Sequence, residues 1–175
     1  VPSGRLYALG LGGLYVVKGQ GAPWELVNDL AGVTPNNAGV TLIAQSTPTE
    51  TLFLADQSEL LASVDGGLTW EPLSGQPPIQ GAIQDLVVVK RQNGTSLCVV
   101  SSHVACQDVM GWHVLSLEGI PLAIAAPQDP LDPLYIGTER GLYRVPLGEN
   151  AWSPQAMGHT LDGKPLALLL ASGEL

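Results

Sequence analysis

Short apolar runs alternate with turn residues along the whole chain, and the same order of runs repeats. One repeat consists of an apolar strand, a turn, a second apolar strand and then a tryptophan, as in Leu52–Ala55, Glu59–Ser63 and Trp70. Runs of four to six residues bounded by Gly, Asp and Ser predict β-strands joined by tight turns. The pattern therefore predicts an all-β chain.

The four tryptophans set the period of this repeat. Trp24, Trp70, Trp112 and Trp152 follow one another at intervals of 46, 42 and 40 residues. Each of the last three repeats begins with a further apolar segment, which makes four strands per repeat. The first repeat lacks that segment, but the chain ends with Pro165–Leu169, a close copy of the segment at Pro121–Ala125. Units of four strands repeated every 40 to 50 residues are typical of propeller blades.

The prediction is a single β-propeller domain over 1–175, made of four-stranded antiparallel blades. About four blades fit the chain, and the first is completed by the C-terminal strand, which would close a ring. A fragment of a larger ring, and two chains forming an eight-bladed ring, are the alternatives. The predicted blades are 165–175 plus 1–28, 39–74, 82–117 and 120–154.

One turn of the repeat carries a motif. The stretch from Ser63 to Trp70 reads Ser-Val-Asp-Gly-Gly-Leu-Thr-Trp. Asp65 can accept backbone N–H bonds in a turn, Gly67 can adopt positive φ, and Trp70 anchors the outgoing strand. This sequence resembles the Asp-box, or BNR, repeat of propellers such as sialidases, Vps10 or sortilin-like ectodomains and the photosystem II stability factor.

The resemblance has consequences for where function lies. It implies that Ser63, Asp65, Gly67, Thr69 and Trp70 form a structural turn at the rim between the third and outermost strands. It also implies that ligands bind on the opposite face, where turns join the second and third strands. The candidate residues on those turns are Asp56, Glu59, His103, Glu139 and Arg140.

Composition and charge narrow the function classes. Only 13% of residues are charged and the formal net charge is −9, which argues against a nucleic-acid partner. No apolar run approaches the length of a membrane-spanning helix. The chain offers no short-spaced metal-ligand motif and no cofactor fingerprint, so no metal and no cofactor are expected.

Cys98 and Cys106 lie symmetrically about Ser102 in a predicted hairpin. Facing positions across an antiparallel pair could be bridged, and two buried free thiols are the alternative. A bridge would favour an extracytoplasmic location, whether secreted, periplasmic or lumenal.

The favoured function is a non-enzymatic binding or assembly module that presents its face turns to a protein or glycan partner. A protein partner or self-association is expected, and a glycan is the other ligand considered. A positive mean hydropathy of +0.22 is consistent with apolar surface that a partner covers. The alternative is a glycan-acting hydrolase or lectin that uses the axial cavity and a pair of carboxylates.

Overall fold

The computed structural model describes residues 5–10, 12–30, 41–45, 51–56, 59–78, 80–91, 94–127, 129, 131–147 and 152–157, with the backbone alone at 41–45 and at Asp56. The chain divides into two compact units, Val1–Gln76 and Pro77–Leu175. Each unit contains two antiparallel sheets.

The first unit holds a three-stranded and a four-stranded sheet. Its strands are β1 (Arg5–Gly10), β2 (Gly13–Lys18), β3 (Glu25–Asn28), β4 (Thr41–Gln45), β5 (Thr51–Asp56), β6 (Glu59–Ser63) and β7 (Glu71–Pro72). The orders are β1-β2-β3 and β4-β5-β6-β7, so each strand pairs with the next strand in the chain. This is the meander expected when tight turns join successive strands.

The second unit holds two four-stranded sheets. Its strands are β8 (Asp85–Arg91), β9 (Gly94–Val100), β10 (Val104–Asp108), β11 (Gly111–Val114), β12 (Pro121–Ala125), β13 (Leu134–Thr138), β14 (Gly141–Val145) and β15 (Gln155–Ala156). The orders are again sequential, β8-β9-β10-β11 and β12-β13-β14-β15.

The all-β prediction is confirmed for the described residues, which form four antiparallel sheets and no helix. The segments 39–74 and 82–117 each contain one four-stranded sheet, and 1–28 contains the three-stranded sheet. The strand predicted at 165–175 lies outside the described residues. Closure of a ring and the single domain over 1–175 therefore stay predictions.

The last sheet ends later than its predicted boundary at residue 154. Its outermost strand pairs Arg144 with Gln155 and Tyr143 with Ala156. The Arg144 Nε donates a hydrogen bond to Gln155 Oε1 at 2.9 Å. The pairing begins three residues after Trp152, whereas β7 follows Trp70 directly. The tryptophan therefore precedes the outermost strand in both sheets, but that strand begins one residue after Trp70 and three residues after Trp152.

Each unit has its own apolar core. In the first unit Leu14, Leu30 and Leu52 are buried, and Tyr7, Leu9, Val27 and Trp70 pack against them. In the second unit the core joins both sheets, from Val89 and Val100 to Ile136 and Val145. Alternate residues of each strand supply these contacts, as the two-residue period of a strand requires.

Candidate functional site

The Ser63–Trp70 turn is held by the carboxylate of Asp65. Asp65 Oδ1 accepts hydrogen bonds from the Ser63 hydroxyl at 2.8 Å and from the Leu68 amide at 3.0 Å, and Oδ2 accepts from the Thr69 hydroxyl at 2.6 Å. The Thr69 hydroxyl, followed by the Thr69 amide and the Ser63 hydroxyl, lowers the pKa of Asp65 to about 2. The side chain is exposed, yet its oxygens are engaged within the turn.

Two glycines allow this turn to lie against the first sheet. Gly66 and Gly67 have φ values of 77° and 93°, a region that favours glycine. A Cβ on Gly67 would overlap the side chain of Leu14, a core residue of the first sheet. The indole Nε1 of Trp70 donates to the Gly67 carbonyl at 3.1 Å. Gly67 is therefore both a turn residue and a packing surface.

Asn28, at the end of β3, joins the first sheet to the turn. Its Nδ2 donates to the carbonyls of Gly67 at 3.2 Å and Leu68 at 2.8 Å. Its Oδ1 accepts from the amide of Leu30 at 2.8 Å. Leu30 is buried and has a φ of 52°, which is rare for a residue with a branched side chain. One amide side chain thus binds two segments.

An open cleft of about 320 Å³ lies between the turn and the first sheet. We call it the box cleft. The turn contributes Asp65, Gly66 and Leu68 to its wall. The sheet contributes Arg5 and Tyr7 from β1, Val16 and Lys18 from β2, and Glu25, Leu26 and Val27 from β3.

The box cleft has apolar residues at its base and charged residues at its opening. Val16 is buried, whereas the side chains of Lys18 and Glu25 are 55% and 54% exposed and form an ion pair of 2.7 Å. Arg5 and Lys18 are direct partners across β1 and β2, as are Tyr7 and Val16. The cleft therefore places two cations beside an apolar base.

The predicted face residues lie elsewhere in the fold. Asp56 and Glu59 are paired across the turn between β5 and β6, and Glu59 is exposed. Exposed His103 lies in the turn between β9 and β10, with its Nδ1 2.9 Å from the Ser102 hydroxyl oxygen. That hydroxyl also donates to the carbonyl of Gln80 at 2.9 Å, so the turn is fastened to the connection before β8.

Glu139 and Arg140 occupy the equivalent turn between β13 and β14, and both are exposed. The amide of Glu139 donates to the carbonyl of Ile120 at 3.0 Å, and the Thr138 hydroxyl donates to the carbonyl of Glu118 at 3.0 Å. A Cβ on the intervening Gly119 would lie 2.9 Å from Arg140 Cγ. This turn too is fastened to the connection that leads into its sheet.

A second polar cluster surrounds Asp108 in the second unit. Asp108 accepts hydrogen bonds from the Met110 amide at 2.8 Å and from the Trp152 indole at 3.0 Å, and it lies 3.0 Å from His113 Nε2. Arg91 lies 4.6 Å from the centre of the Trp152 ring. Burial opposes ionisation of Asp108, but the combined hydrogen bonds from these groups lower its pKa. The cluster fastens the β10–β11 hairpin to the segment before β15.

Cys98 and Cys106 form a disulfide between β9 and β10, with a Cα–Cα distance of 4.1 Å. They are direct partners in the antiparallel register, and both are fully buried. Of the two alternatives that the sequence left open, the structure has the bridge. It ties together the second and third strands of the third sheet.

No group of three or more His, Cys, Asp or Glu side chains among the described residues could hold a metal ion. In the same residues, no helix is long and apolar enough to cross a membrane.

Sequence reasoning did not identify the cleft residues that β1, β2 and β3 contribute. Arg5, Lys18 and Glu25 are far from the Asp-box in sequence, and only the register of β1 to β3 brings them beside it. The sequence shows that apolar and charged residues alternate at the ends of these strands. It does not show which neighbouring turn the charged residues face.

Comparison with known proteins supports the fold. No protein-family profile matches this chain, and no curated protein matches it either. Among solved structures, the chain is similar to BBS1N, a β-propeller, in the crystal structure of BBS1N in complex with ARL6DN, soaked with mercury. The identity is 17% and the TM-score is 0.53 over 89% of this chain. The chain matches 50% of the length of that BBS1N chain, so the likeness extends over half of a larger propeller-containing chain.

Proposed function

We propose that this chain is a protein-binding module built from the blades of an Asp-box β-propeller. The observation that carries the proposal is the likeness to BBS1N, a propeller seen bound to another protein. Because identity is low, that likeness supports the fold directly and the binding role only by analogy. Two features of this chain add support.

The first feature is exposed apolar surface at turns. Val109 and Met110, at the tip of the β10–β11 hairpin, are 94% and 83% exposed. Val64 and Leu68 are exposed in the equivalent turn of the second sheet. Apolar side chains at the tips of rigid hairpins are the groups that a protein partner can cover.

The second feature is how firmly the turns are held. The Asp65 and Asn28 hydrogen bonds hold the Ser63–Trp70 turn, and the Asp108 cluster holds the β10–β11 hairpin. Neither set uses the apolar side chains at the tips of these turns. A preorganised surface loses less conformational entropy when it binds. This favours recognition by a rigid surface.

The membership of the Asp-box group and the arrangement of the sheets are part of the proposal. The Ser63–Trp70 motif supports membership. We propose that the four sheets are blades and that Pro165–Leu169 completes the first one, because this segment copies Pro121–Ala125, which forms the first strand of its sheet. A monomer mass of 18.3 kDa in light scattering is expected for a closed four-bladed ring. A dimer would indicate eight blades instead.

The disulfide supports an extracytoplasmic location, since structural disulfides persist mainly in oxidising compartments. Thiol titration of the denatured, unreduced protein isolated from its native source should detect no free Cys98 or Cys106. Two free thiols would remove the support for that location.

Affinity purification followed by a quantitative binding assay tests the function. The intact chain is immobilised, retained proteins are identified by mass spectrometry, and each is purified and titrated against the chain by biolayer interferometry. The same chain is applied to a glycan array and to a panel of fluorogenic glycosides. We expect saturable binding to a protein. Glycan binding or glycoside turnover in the absence of any saturable protein binding would contradict the proposal.

A further inference from the structure

We propose that the box cleft of one chain receives the hairpin tip of a second copy, by which we mean Val109 and Met110 of the β10–β11 hairpin. The contact joins two different surfaces of the same chain, so it is a head-to-tail contact. This inference goes beyond the proposed function, because the partner is a second copy and no other protein is needed.

The hairpin tip exposes two adjacent apolar side chains. Asp108 pairs with Gly111, so Val109 and Met110 are the two residues of the turn between β10 and β11. At 94% and 83% exposed, they are the most exposed large apolar side chains among the residues that the structure describes. Covering them removes apolar surface from water, which favours association.

The hairpin tip is held in place before any contact is made. The Met110 amide donates to Asp108 Oδ1 at 2.8 Å. Behind the tip, the Cys98–Cys106 disulfide joins β10 to β9. A protruding turn that is already ordered loses little conformational entropy when it is inserted into a cleft.

The box cleft has the size for two apolar side chains. A cavity of about 150 Å³ holds one benzene molecule, and the cleft measures about 320 Å³. Two of the residues that line it, Leu26 on β3 and Leu68 on the turn, are 55% and 60% exposed. An inserted apolar pair would therefore cover two exposed leucines of the cleft as well as itself.

The charges of the cleft balance, which favours an uncharged occupant. Its lining carries two cations, Arg5 and Lys18, and two carboxylates, Glu25 and Asp65. Lys18 pairs with Glu25 at 2.7 Å, and the Asp65 oxygens are bonded within the turn. The stretch Val109–Gly111 has no charged side chain. The hairpin tip can therefore enter the cleft without separating a charged pair.

One chain thus carries both complementary surfaces, and salt distinguishes a second copy from a basic partner. Each chain has a formal net charge of −9, so two copies repel each other at long range although the contacting surfaces are neutral. Because salt screens this repulsion, self-association should strengthen as the salt concentration rises. A basic occupant, which the net negative charge attracts, would bind more weakly in high salt.

Light scattering over about 0.01–1 mM chain tests the proposal, since a contact smaller than a standard interface is weak. The tip variant carries Val109→Ser and Met110→Ser, and the cleft variant carries Leu26→Ser and Leu68→Ser. We expect the mass of the wild-type chain to rise with concentration, and the Kd for self-association to rise at least tenfold in each variant. An equimolar mixture of the two variants should recover association, because the cleft variant keeps an intact tip and the tip variant keeps an intact cleft.

A third variant controls for the loss of exposed apolar surface. It carries Leu6→Ser and Leu131→Ser, which change one exposed leucine in each unit. Leu6 lies between Arg5 and Tyr7 on β1, so its side chain is on the opposite face of that strand from the cleft. Its Kd should stay within twofold of wild type. None of the three variants changes the net charge, and their circular dichroism should match that of wild type.

The outcomes separate this inference from the proposed function. A wild-type mass that does not change with concentration would overturn it, whether that mass corresponds to one chain or to two. A cleft variant that associates as strongly as wild type would also overturn it, since tips would then contact tips. So would a mixture of variants that fails to associate, or association that weakens as salt is added. The proposed function is tested separately and fails when no other purified protein binds the intact chain.

Discussion

Replacement of Asn28 by Ala gives the sharpest test of how the Asp-box turn is attached to the first sheet. The substitution removes two hydrogen bonds to the turn carbonyls and one to the Leu30 amide. A typical hydrogen bond contributes about 0.5–1.5 kcal/mol net, and the bond to exposed Leu68 belongs at the lower end. The loss of all three should lower the free energy of unfolding by about 2–3 kcal/mol.

The conservative variant Asn28→Asp separates the two functions of the amide. A carboxylate still accepts from the Leu30 amide, but it cannot donate to Gly67 and Leu68 and faces their carbonyl oxygens. The free energy of unfolding should therefore fall by about as much in Asn28→Asp as in Asn28→Ala. The fall should be smaller at low pH, where the carboxyl is protonated. Gln84→Ala changes an exposed amide side chain and serves as the control.

Urea unfolding followed by tryptophan fluorescence measures these effects, because Trp70 packs in the same cluster as Leu30. A decrease of less than about 0.5 kcal/mol for Asn28→Ala, equal to the Gln84→Ala control, would refute the reasoning. It would mean that water replaces the three bonds without cost and that packing alone holds the turn.

Three further predictions concern the fold. Replacing both Cys98 and Cys106 by Ser should lower stability by about 2–3 kcal/mol, because the bridge closes a short loop with a sequence separation of 8; an unchanged urea midpoint relative to the unreduced protein would contradict this. Gly67→Ala should cost at least about 1–3 kcal/mol in the same assay, since it adds a Cβ against Leu14 at positive φ, and a stable variant would show that the Leu14 contact yields easily. Asp65 should make the stability of the fold sensitive to acid, because its pKa falls from 3.8 to about 2 on folding. Its contribution to stability is present above about pH 4 and is lost as the pH falls from about 4 to about 2. An Asp65→Asn chain that keeps the full acid sensitivity of wild type would exclude this carboxyl as the cause.

The strands could be predicted from the sequence because each one is identified by its own residues and by the turn residues at its ends. Runs such as Leu97–Val100 and Val104–Gln107 are apolar, short and bounded by turn residues, and the structure pairs Cys98 with Cys106 across them as their symmetry about Ser102 predicts. The Asp-box could also be identified from the sequence, because every group that donates to the Asp65 carboxylate lies within four residues of it.

Contacts over long sequence distances were not predictable in the same way. Asn28 is 39 residues from the Gly67 carbonyl that it binds, and Trp152 is 44 residues from Asp108. In both cases the partner of a polar side chain depends on how neighbouring sheets of one unit pack. Asp108 illustrates this limit, since it ends β10 but accepts a hydrogen bond from a tryptophan that precedes the outer strand of the following sheet.

The same limit applies to the box cleft, which the sequence did not predict. Sequence placed Glu59, His103 and Arg140 on equivalent turns, and these are exposed in the structure. Whether they act together stays a prediction. The cleft, in contrast, needs the register of three strands and the position of a turn more than 35 residues away in the chain.

Titration of the intact chain against each purified protein that it retains tests the central claim most directly. We predict saturable binding to at least one protein, with a Kd that rises at least tenfold when Val109 and Met110, the exposed apolar residues at the tip of the β10–β11 hairpin, are both replaced by Ser. Leu131→Ser, which alters another exposed apolar side chain, should leave the Kd within twofold of wild type. Absence of saturable binding to any purified protein would contradict the claim that this chain is a protein-binding module.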